Sequence, residues 1–375
     1  MTLAVEFMGL KLKNPIIVAA GPWSRNGEMI KNAFLAGAGA VVTETIVNEV
    51  NIDVRPRIAY RNGGVQNIRL YSDILLEEWE REIDIAKSQG GIVIASICAQ
   101  TSSEISYIAG KMKKIGVDAI ELGLASPMGE GLEVMAASAD KIFEMTRKVV
   151  SSVNLPVMVK LSQNVTNMSK IARAVENAGG SAISAIDTVR CILGVDLENR
   201  KPYLPTYGGY SGPAIKPLGL ASVATISQST RLPVCGIGGI ETCEDVLEYM
   251  MLGASAIQMG TSIMINGFEH IGKVKDDLEA WMRKNGIEEL AQVRGAALSG
   301  LKAFDEIQVE PVVSHLIGEC TRADCHKCVK GCVYGAIDKT GTGIAIHRER
   351  CRGCGLCCSI CPDKNMKLIW PGKAK

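Results

Sequence analysis

The chain has 375 residues, of which 47% are apolar, and its 41 lysines and arginines against 40 aspartates and glutamates leave a formal charge of +1. A nearly neutral chain has no bulk attraction to nucleic acid or to a membrane surface, and the apolar fraction argues against a disordered or fibrous protein. The N-terminal segment lacks the pattern of a secretory signal, and no apolar run is long enough to span a membrane. We therefore expect a cytoplasmic protein with one large and one small domain.

Eight short apolar runs alternate with helical segments, which is typical of an α/β protein with a parallel sheet. The predicted strands are 16–20, 40–43, 92–97, 118–122, 157–161, 182–185, 234–236 and 256–259. The predicted helices are 26–36, 75–88, 103–115, 137–152, 168–178, 221–230, 244–252 and 268–285. Eight units in about 250 residues favour a (β/α)8 TIM barrel over an open doubly wound sheet.

Two long connections, 44–74 and 186–220, follow the second and sixth strands and are rich in Gly, Pro, Asn and Arg. Both leave the carboxyl ends of strands, where barrels carry their active sites. We assign 1–300 to the barrel, 301–314 to a connector and 315–375 to a second domain.

Glycine pairs at the last two strand ends indicate a phosphate site. Gly238 and Gly239 follow the seventh strand, and Gly260 with Thr261 follows the eighth. Bare backbone amides in this part of a barrel bind phosphate, although such glycines can also serve only to close tight turns. Lys160 ends the fifth strand and is predicted to face a negative charge in the barrel mouth; the alternative is a surface lysine with a buried stem.

Nine of the 13 cysteines lie between Cys320 and Cys361, and the second half of this segment fits the bacterial ferredoxin spacing CxxCxxCxxxCP. That pattern predicts two [4Fe-4S] clusters, in which the fourth cysteine of each run reaches across to the other cluster. The predicted ligands are Cys320, Cys325, Cys328 and Cys361 for one cluster, and Cys351, Cys354, Cys357 and Cys332 for the other.

Two features depart from the pattern, since four residues separate the first two cysteines and Val333 stands where a proline is expected. Zinc is the competing interpretation, but it takes ligands in two separated pairs and fits these runs poorly. Cys358 is predicted to be a spare thiol. The basic excess of 315–375 would be balanced by anionic clusters and needs no nucleic acid.

Several segments resemble a known family. LAVEFMGLKLKNPIIVAAGP, NVTNMSKIARAVENAGG, GGYSGPAIKPLGL and GIGGIETCEDVLEYMMLGASAIQMGT resemble the FMN-containing dihydroorotate dehydrogenase barrels. QNIRLYSD and the cysteine-rich C-terminus are most similar to the FMN and iron-sulfur portion of dihydropyrimidine dehydrogenase. The resemblance covers nearly the whole chain. It implies a flavin-dependent oxidoreductase acting on a CH-CH group beside a carbonyl, and a homodimer or larger assembly.

The resemblance also implies site residues. The cofactor-binding residues would be Ala20, Gly21, Thr45, Asn67, Lys160, Asp187, Thr188, Ser211, Gly212, Gly238, Gly239, Gly260 and Thr261, and the substrate residues Asn67, Arg69, Asp187 and Thr188. Lys160 and Ser126 would be catalytic. Ser126 matches the proton-handling position of the family motif ELNxSCPN, although a serine needs a relay to act as a base and the alternative is an inert loop serine.

The departures from the family concentrate in the substrate pocket. Glu44 stands where a lysine is expected, and Gly123, Met128 and Asp187 replace three asparagines. Of the residues that would read a pyrimidine amide only Asn67 remains. Each lost hydrogen bond costs about 1–3 kcal/mol, which argues against orotate and uracil as substrates.

Three hypotheses follow. In the first, the chain acts on another activated carbon-carbon bond, with Arg69 binding an acid group and Asp187 an amine or N-H, while the clusters carry single electrons. In the second, it is a dihydropyrimidine or dihydroorotate dehydrogenase proper, and in the third a non-catalytic electron-relay subunit. No GxGxxG fingerprint follows a first strand, so the predicted electron partner is an NAD(P)H-oxidising flavoprotein subunit or a ferredoxin.

Overall fold

The chain folds into two compact units in the computed structural model, Met1–Leu301 and Lys302–Lys375. The structure describes residues 1–49, 54–124, 130–307, 311–320, 322, 324–341 and 343–370.

The first unit is built around a closed barrel of eight parallel strands, which confirms the predicted TIM barrel. The strands are β1 Ile16–Val18, β2 Ala40–Val42, β3 Ile92–Ile97, β4 Ala119–Leu122, β5 Val157–Leu161, β6 Ala182–Ala185, β7 Val234–Ile237 and β8 Ala254–Met259. They are hydrogen-bonded in sequence order, and β8 closes on β1. The predicted bounds are correct for β3, β5 and β6, and the other five strands differ by one or two residues at one end.

A helix follows each strand. The helices are α1 Gly27–Leu35, α2 Trp79–Lys87, α3 Ser102–Lys114, α4 Ala139–Ser152, α5 Met168–Asn177, α6 Lys216–Ser229, α7 Cys243–Met251 and α8 Glu269–Asn285, with short additional helices at Glu130–Ala137 and Thr261–Asn266. Capping side chains fix several starts: Asn26, Thr101, Ser138, Asn167 and Thr242 each accept the N-H three residues on.

Two predicted helix starts were wrong. The sixth helix begins at Lys216 rather than 221, because Pro217 occupies its first turn, where a missing N-H costs nothing. The second begins at Trp79 rather than 75, and the N-H of Leu75 bonds to the Glu78 carboxylate in the preceding turn.

The two long connections meet in one antiparallel sheet, which the sequence did not predict. Its strand order is Val189–Cys191, Gly208–Ser211, Gly64–Asn67 and Ile58–Arg61. A small ribbon, Val195–Asp196 with Lys201–Pro202, extends from the same region. This sheet holds Asn67 and Ser211 beside the carboxyl ends of the barrel strands.

The opposite end of the barrel is filled with apolar side chains. The hairpin of Val5–Phe7 and Leu10–Leu12 places Phe7 and Leu12 in one buried cluster with barrel residues such as Ile17. The cavities described below therefore lie at the carboxyl ends of the strands.

Among its described residues, the second unit contains two short α-helices and two small sheets. Strand Val313–Leu316 pairs with Met366–Ile369, and Ile337–Thr340 pairs with Gly343–Ile346. Its first strand thus begins inside the segment predicted as a connector. Its two α-helices are Lys327–Gly331 and Leu356–Ile360. Their first residues lie 29 positions apart, as do their last residues, so the two halves of the second unit repeat the same element.

Candidate active site

The predicted cofactor and substrate residues come together around two adjoining cavities in the barrel mouth. Cavity A, with about 890 Å³ of empty space partly open to solvent, is lined by Ala20, Gly21, Asn67, Lys160, Asp187, Thr188, Ser211, Gly212, Gly238, Gly239, Gly260 and Thr261, among others. Cavity B shares six of these residues and adds Glu44, Thr45, Arg69 and Gly123. Ser126 lies outside the described residues.

One end of cavity A presents glycine backbone and hydroxyl groups. Gly238 and Gly239 have φ of 117° and 66°, which favour glycine, and a Cβ on Gly239 would lie 2.8 Å from Lys216 Cβ. The Tyr249 hydroxyl donates to the Gly238 carbonyl at 2.8 Å and fixes this turn. The buried Ser262 Oγ lines the cavity and lacks a hydrogen-bond partner among the described residues. Such an orphaned donor beside exposed backbone suits a phosphate group.

Below the cavities a buried carboxylate supports the predicted lysine. Lys160 Nζ lies 3.1 Å from Oε1 of Glu121, whose side chain is fully buried. Oε2 of Glu121 accepts hydrogen bonds from Ser184 Oγ at 2.9 Å and Gln258 Nε2 at 2.7 Å. Burial lowers the pKa of Lys160, but the Glu121 and Asp187 carboxylates raise it more, so the ammonium form is held. The sequence analysis did not select Glu121. A charged residue inside an otherwise apolar strand was the feature that could have identified it.

A second charged group lies at the far end of cavity B. The guanidinium of Arg69 donates from Nε to Glu44 Oε1 at 2.6 Å and from Nη2 to Glu44 Oε2 at 2.8 Å. Arg69 Nη2 also lies 2.8 Å from Asp73 Oδ1, and Arg25 pairs with Asp73 at 3.2 Å. Burial raises the pKa of Glu44 even though Arg69 lowers it.

Small side chains keep the middle of cavity B open. Thr45 Oγ1 and Ser96 Oγ are 3.0 Å apart, and a Cβ built on Gly123 would lie 3.4 Å from Ser96 Oγ and 3.5 Å from Thr45 Cγ2. A longer side chain at Gly123 would therefore extend into the cavity. Asp187 faces both cavities, and burial raises its pKa while Lys160 lowers it.

The cysteines of the second unit surround two further cavities. Cavity C is lined by Cys320, Cys325, Cys328 and Cys361, and cavity D by Cys332, Cys351, Cys354 and Cys357. Backbone N-H groups point at two of the sulfurs, from Ser314 to Cys351 and from Ala336 to Cys332, both at 3.3 Å. Within the part of the chain described, no group of three or more His, Cys, Asp or Glu side chains is arranged to hold a metal ion.

Comparison with known proteins identifies the class to which this barrel and site belong, the flavin-dependent oxidoreductases that act on CH-CH donors. A family model described as "Dihydroorotate dehydrogenase" matches residues 2–282. The chain belongs to the dihydroorotate dehydrogenase family. Residues 283–375 lie outside this match.

Three relatives are described as dihydroorotate dehydrogenase B (NAD(+)), catalytic subunit. The protein from Pyrococcus abyssi is 33% identical over 311 residues, or 79% of this chain and 99% of its own. That from Thermoplasma volcanium is 36% identical over 300 residues (79% and 98%), and that from Caldicellulosiruptor saccharolyticus 34% over 299 residues (79% and 99%).

A solved structure shares the fold. The crystal structure of DHODH in complex with ferulenol from Eimeria tenella superposes with a TM-score of 0.69 at 20% identity, covering 78% of this chain and 88% of that one. Among the helices described here, none is both long and apolar enough to cross a membrane.

Proposed function

We propose that the barrel binds FMN and oxidises or reduces a carbon-carbon bond beside a carbonyl, and that the second unit carries two [4Fe-4S] clusters which exchange electrons with a partner protein. The observation that carries this proposal is the division of the eight predicted ligands between two cavities, four to each, in the pairing that the ferredoxin spacing requires.

The donor set of the second unit suits cubane clusters. Each cavity is ringed by three cysteines of one run and the last cysteine of the other, and thiolates are the ligands that iron-sulfur clusters use. The N-H groups that approach Cys351 and Cys332 would stabilise the negative charge of bound thiolates and so influence the reduction potential.

The donor set of cavity A suits FMN. The glycine turn at Gly238 and Gly239, together with the Ser262 hydroxyl, would hold the phosphate, and Lys160 would lie beside the ring edge that becomes negative on reduction. Bound FMN would supply the redox chemistry, since a flavin exchanges a hydride with carbon and single electrons with electron carriers. Glu121 would orient Lys160 and hold its proton.

The chain's own residues must also move a proton. Oxidation of a CH-CH group to a double bond removes two electrons and two protons, one of them as part of the hydride. The remaining proton is assigned to Ser126, which stays a prediction from the sequence. The two electrons would leave through the clusters to an external flavoprotein subunit or ferredoxin, and the proton transferred as part of the hydride would be released to solvent.

A second candidate function is dihydroorotate or dihydropyrimidine oxidation. The relatives' names favour it, and Asn67, which lines both cavities, is the one amide retained from the pyrimidine-reading set. The altered positions argue for a different substrate. Gly123 and Asp187 remove amide donors and acceptors from cavity B, and Glu44 places a carboxyl group where the family has a lysine.

Anaerobic reduction of the bound flavin decides between these candidates. We expect dihydroorotate and dihydrouracil to leave the oxidised flavin spectrum unchanged in protein with intact clusters, while a screen of other saturated carbonyl compounds yields one that bleaches it. Bleaching by dihydroorotate or dihydrouracil would support the second candidate. A flavin that no compound reduces, in protein that still passes electrons between partners, would support the electron-relay role.

Neighbouring cysteines provide a matched test of the cluster ligands. Cys357 lines cavity D, whereas Cys358 is the cysteine that the ferredoxin pattern does not use. Cys357→Ser should lower the iron content by about half, because one of two clusters loses a ligand, and Cys358→Ser should leave it unchanged. Equal iron loss in both variants, or in neither, would count against the assignment.

A further inference from the structure

The cation at the end of cavity B already holds a carboxylate from its own chain. Arg69 donates two parallel hydrogen bonds to Glu44, at 2.6 and 2.8 Å, which is the bidentate geometry by which an arginine binds a carboxylate ligand. The other side of the same guanidinium contacts Asp73. The side chains of Arg69 and Glu44 are only 8% and 5% exposed, so this pair is part of the cavity wall and is shielded from solvent.

The other cation of cavity B is also paired. Lys160 contacts the buried Glu121 at 3.1 Å. Two acidic side chains, those of Glu44 and Asp187, also line the cavity. A negatively charged substrate would therefore enter a cavity in which Arg69 and Lys160 already have acidic partners.

We propose that Glu44 fills the place in the Arg69 fork that a substrate carboxylate would otherwise take, so that cavity B selects uncharged substrates bearing N-H or O-H donors and rejects carboxylates. The proposal rests on the proposed function of the barrel and narrows its substrate class. A substrate carboxylate would have to displace Glu44, which leaves a buried charge unpaired, or lie beside it against like-charge repulsion.

The experiment is calorimetric titration of the flavin-loaded protein with two probes, orotate and uracil, which differ by one carboxylate. Orotate should bind the wild-type protein no more tightly than uracil. Glu44→Ala frees the Arg69 fork, and orotate should then bind about tenfold more tightly than to the wild type, with uracil changed by less than about threefold.

The matched control is Asp73→Asn. This substitution removes the other carboxylate from the same guanidinium but leaves the Glu44 contact in place, so we expect no gain in orotate binding. In Glu44→Ala combined with Arg69→Gln the gain should disappear. Glu44→Ser, whose short side chain also leaves the Arg69 fork empty, serves as the second variant if Glu44→Ala does not fold.

Orotate binding to the wild type about tenfold more tightly than uracil would overturn the proposal, as would the absence of any orotate gain in both Glu44 variants. Flavin content is measured in every preparation. Wild-type protein that retains no flavin contradicts the proposed function, whereas flavin-loaded protein that prefers orotate contradicts only the substrate class.

Discussion

Glu121 and Lys160 form an ion pair inside the barrel, with Oε1 3.1 Å from Nζ, directly below the cavity that we assign to the flavin. Both carboxylate oxygens are engaged, since Oε2 accepts from Ser184 and Gln258. The lysine is therefore held in one position by groups on three other strands, and its charge is balanced before any ligand binds.

Removing the carboxylate should leave a buried cation uncompensated. We expect Glu121→Gln to lower the free energy of unfolding by about 3–5 kcal/mol, measured by urea denaturation of the flavin-loaded protein. The control is Glu28→Gln, which breaks the surface pair with Lys31 and should cost about 0.5 kcal/mol or less. Equal effects of the two substitutions would show that Glu121 does not stabilise Lys160.

Two aspartates should show opposite pH dependence. Burial raises the pKa of Asp187, so its folded form keeps a proton at pH values where the unfolded form has lost it, and stability falls as pH rises through the folded pKa. Asp187→Asn should therefore be more stable than the wild type at pH 7, with the difference closing towards pH 4.

Asp245 provides the comparison. Burial raises its pKa, but hydrogen bonds from Lys216 and from the N-H groups of Glu241 and Thr242 lower it more. Its stabilising contribution is present above the ordinary pKa of an aspartate and is lost as pH falls through the folded value. Asp245→Asn should therefore be less stable than the wild type at pH 7, with the difference vanishing in acid. The same sign for both variants would contradict these pKa directions.

The glycine turn should be intolerant of a side chain. Gly239→Ala places a Cβ 2.8 Å from Lys216 Cβ at a φ of 66°, and we expect a loss of about 1–3 kcal/mol in stability together with release of flavin during gel filtration. Gly110→Ala is the control, because a Cβ at this helical position meets open space and should add up to about 1 kcal/mol. Full flavin retention by Gly239→Ala would argue against the phosphate site.

Restoring the family asparagine should restore part of the pyrimidine affinity. The ordinary 3.4–3.6 Å contacts around a Cβ at Gly123 allow a side chain, so Gly123→Asn should fold. A new amide hydrogen bond is worth about 1 kcal/mol, which predicts about fivefold tighter uracil binding by calorimetry. Gly123→Leu fills similar space without an amide and should show no gain, and an equal gain in both variants would point to packing instead.

The barrel strands could be predicted because each one is marked by a short apolar run in its own sequence. Strands β3, β5 and β6 are continuous apolar runs, and their bounds were predicted correctly. The sheet that joins Gly64–Asn67 to Gly208–Ser211 escaped prediction because its pairing spans well over a hundred residues and its Gly-rich strands lack an alternating pattern.

The candidate active site shows the same difference between signals within one segment and contacts between distant segments. Glycines at strand ends and the cysteine spacing are local signals, and the structure brings those residues to common cavities. The partners of charged residues are not local: Glu121 meets Lys160 only through strand pairing, and Glu44 meets Arg69 through a 25-residue connection. The sequence predicts Arg69 as a ligand for an acid group, and in the structure its guanidinium is bound to Glu44.

Cofactor content tests the central claim most directly. Protein purified without oxygen should contain about one FMN, eight iron atoms and eight acid-labile sulfides per chain, as two [4Fe-4S] clusters require. Flavin accompanied by zinc, or by no metal at all, would contradict the account of the second unit, and protein without flavin would contradict the account of the barrel.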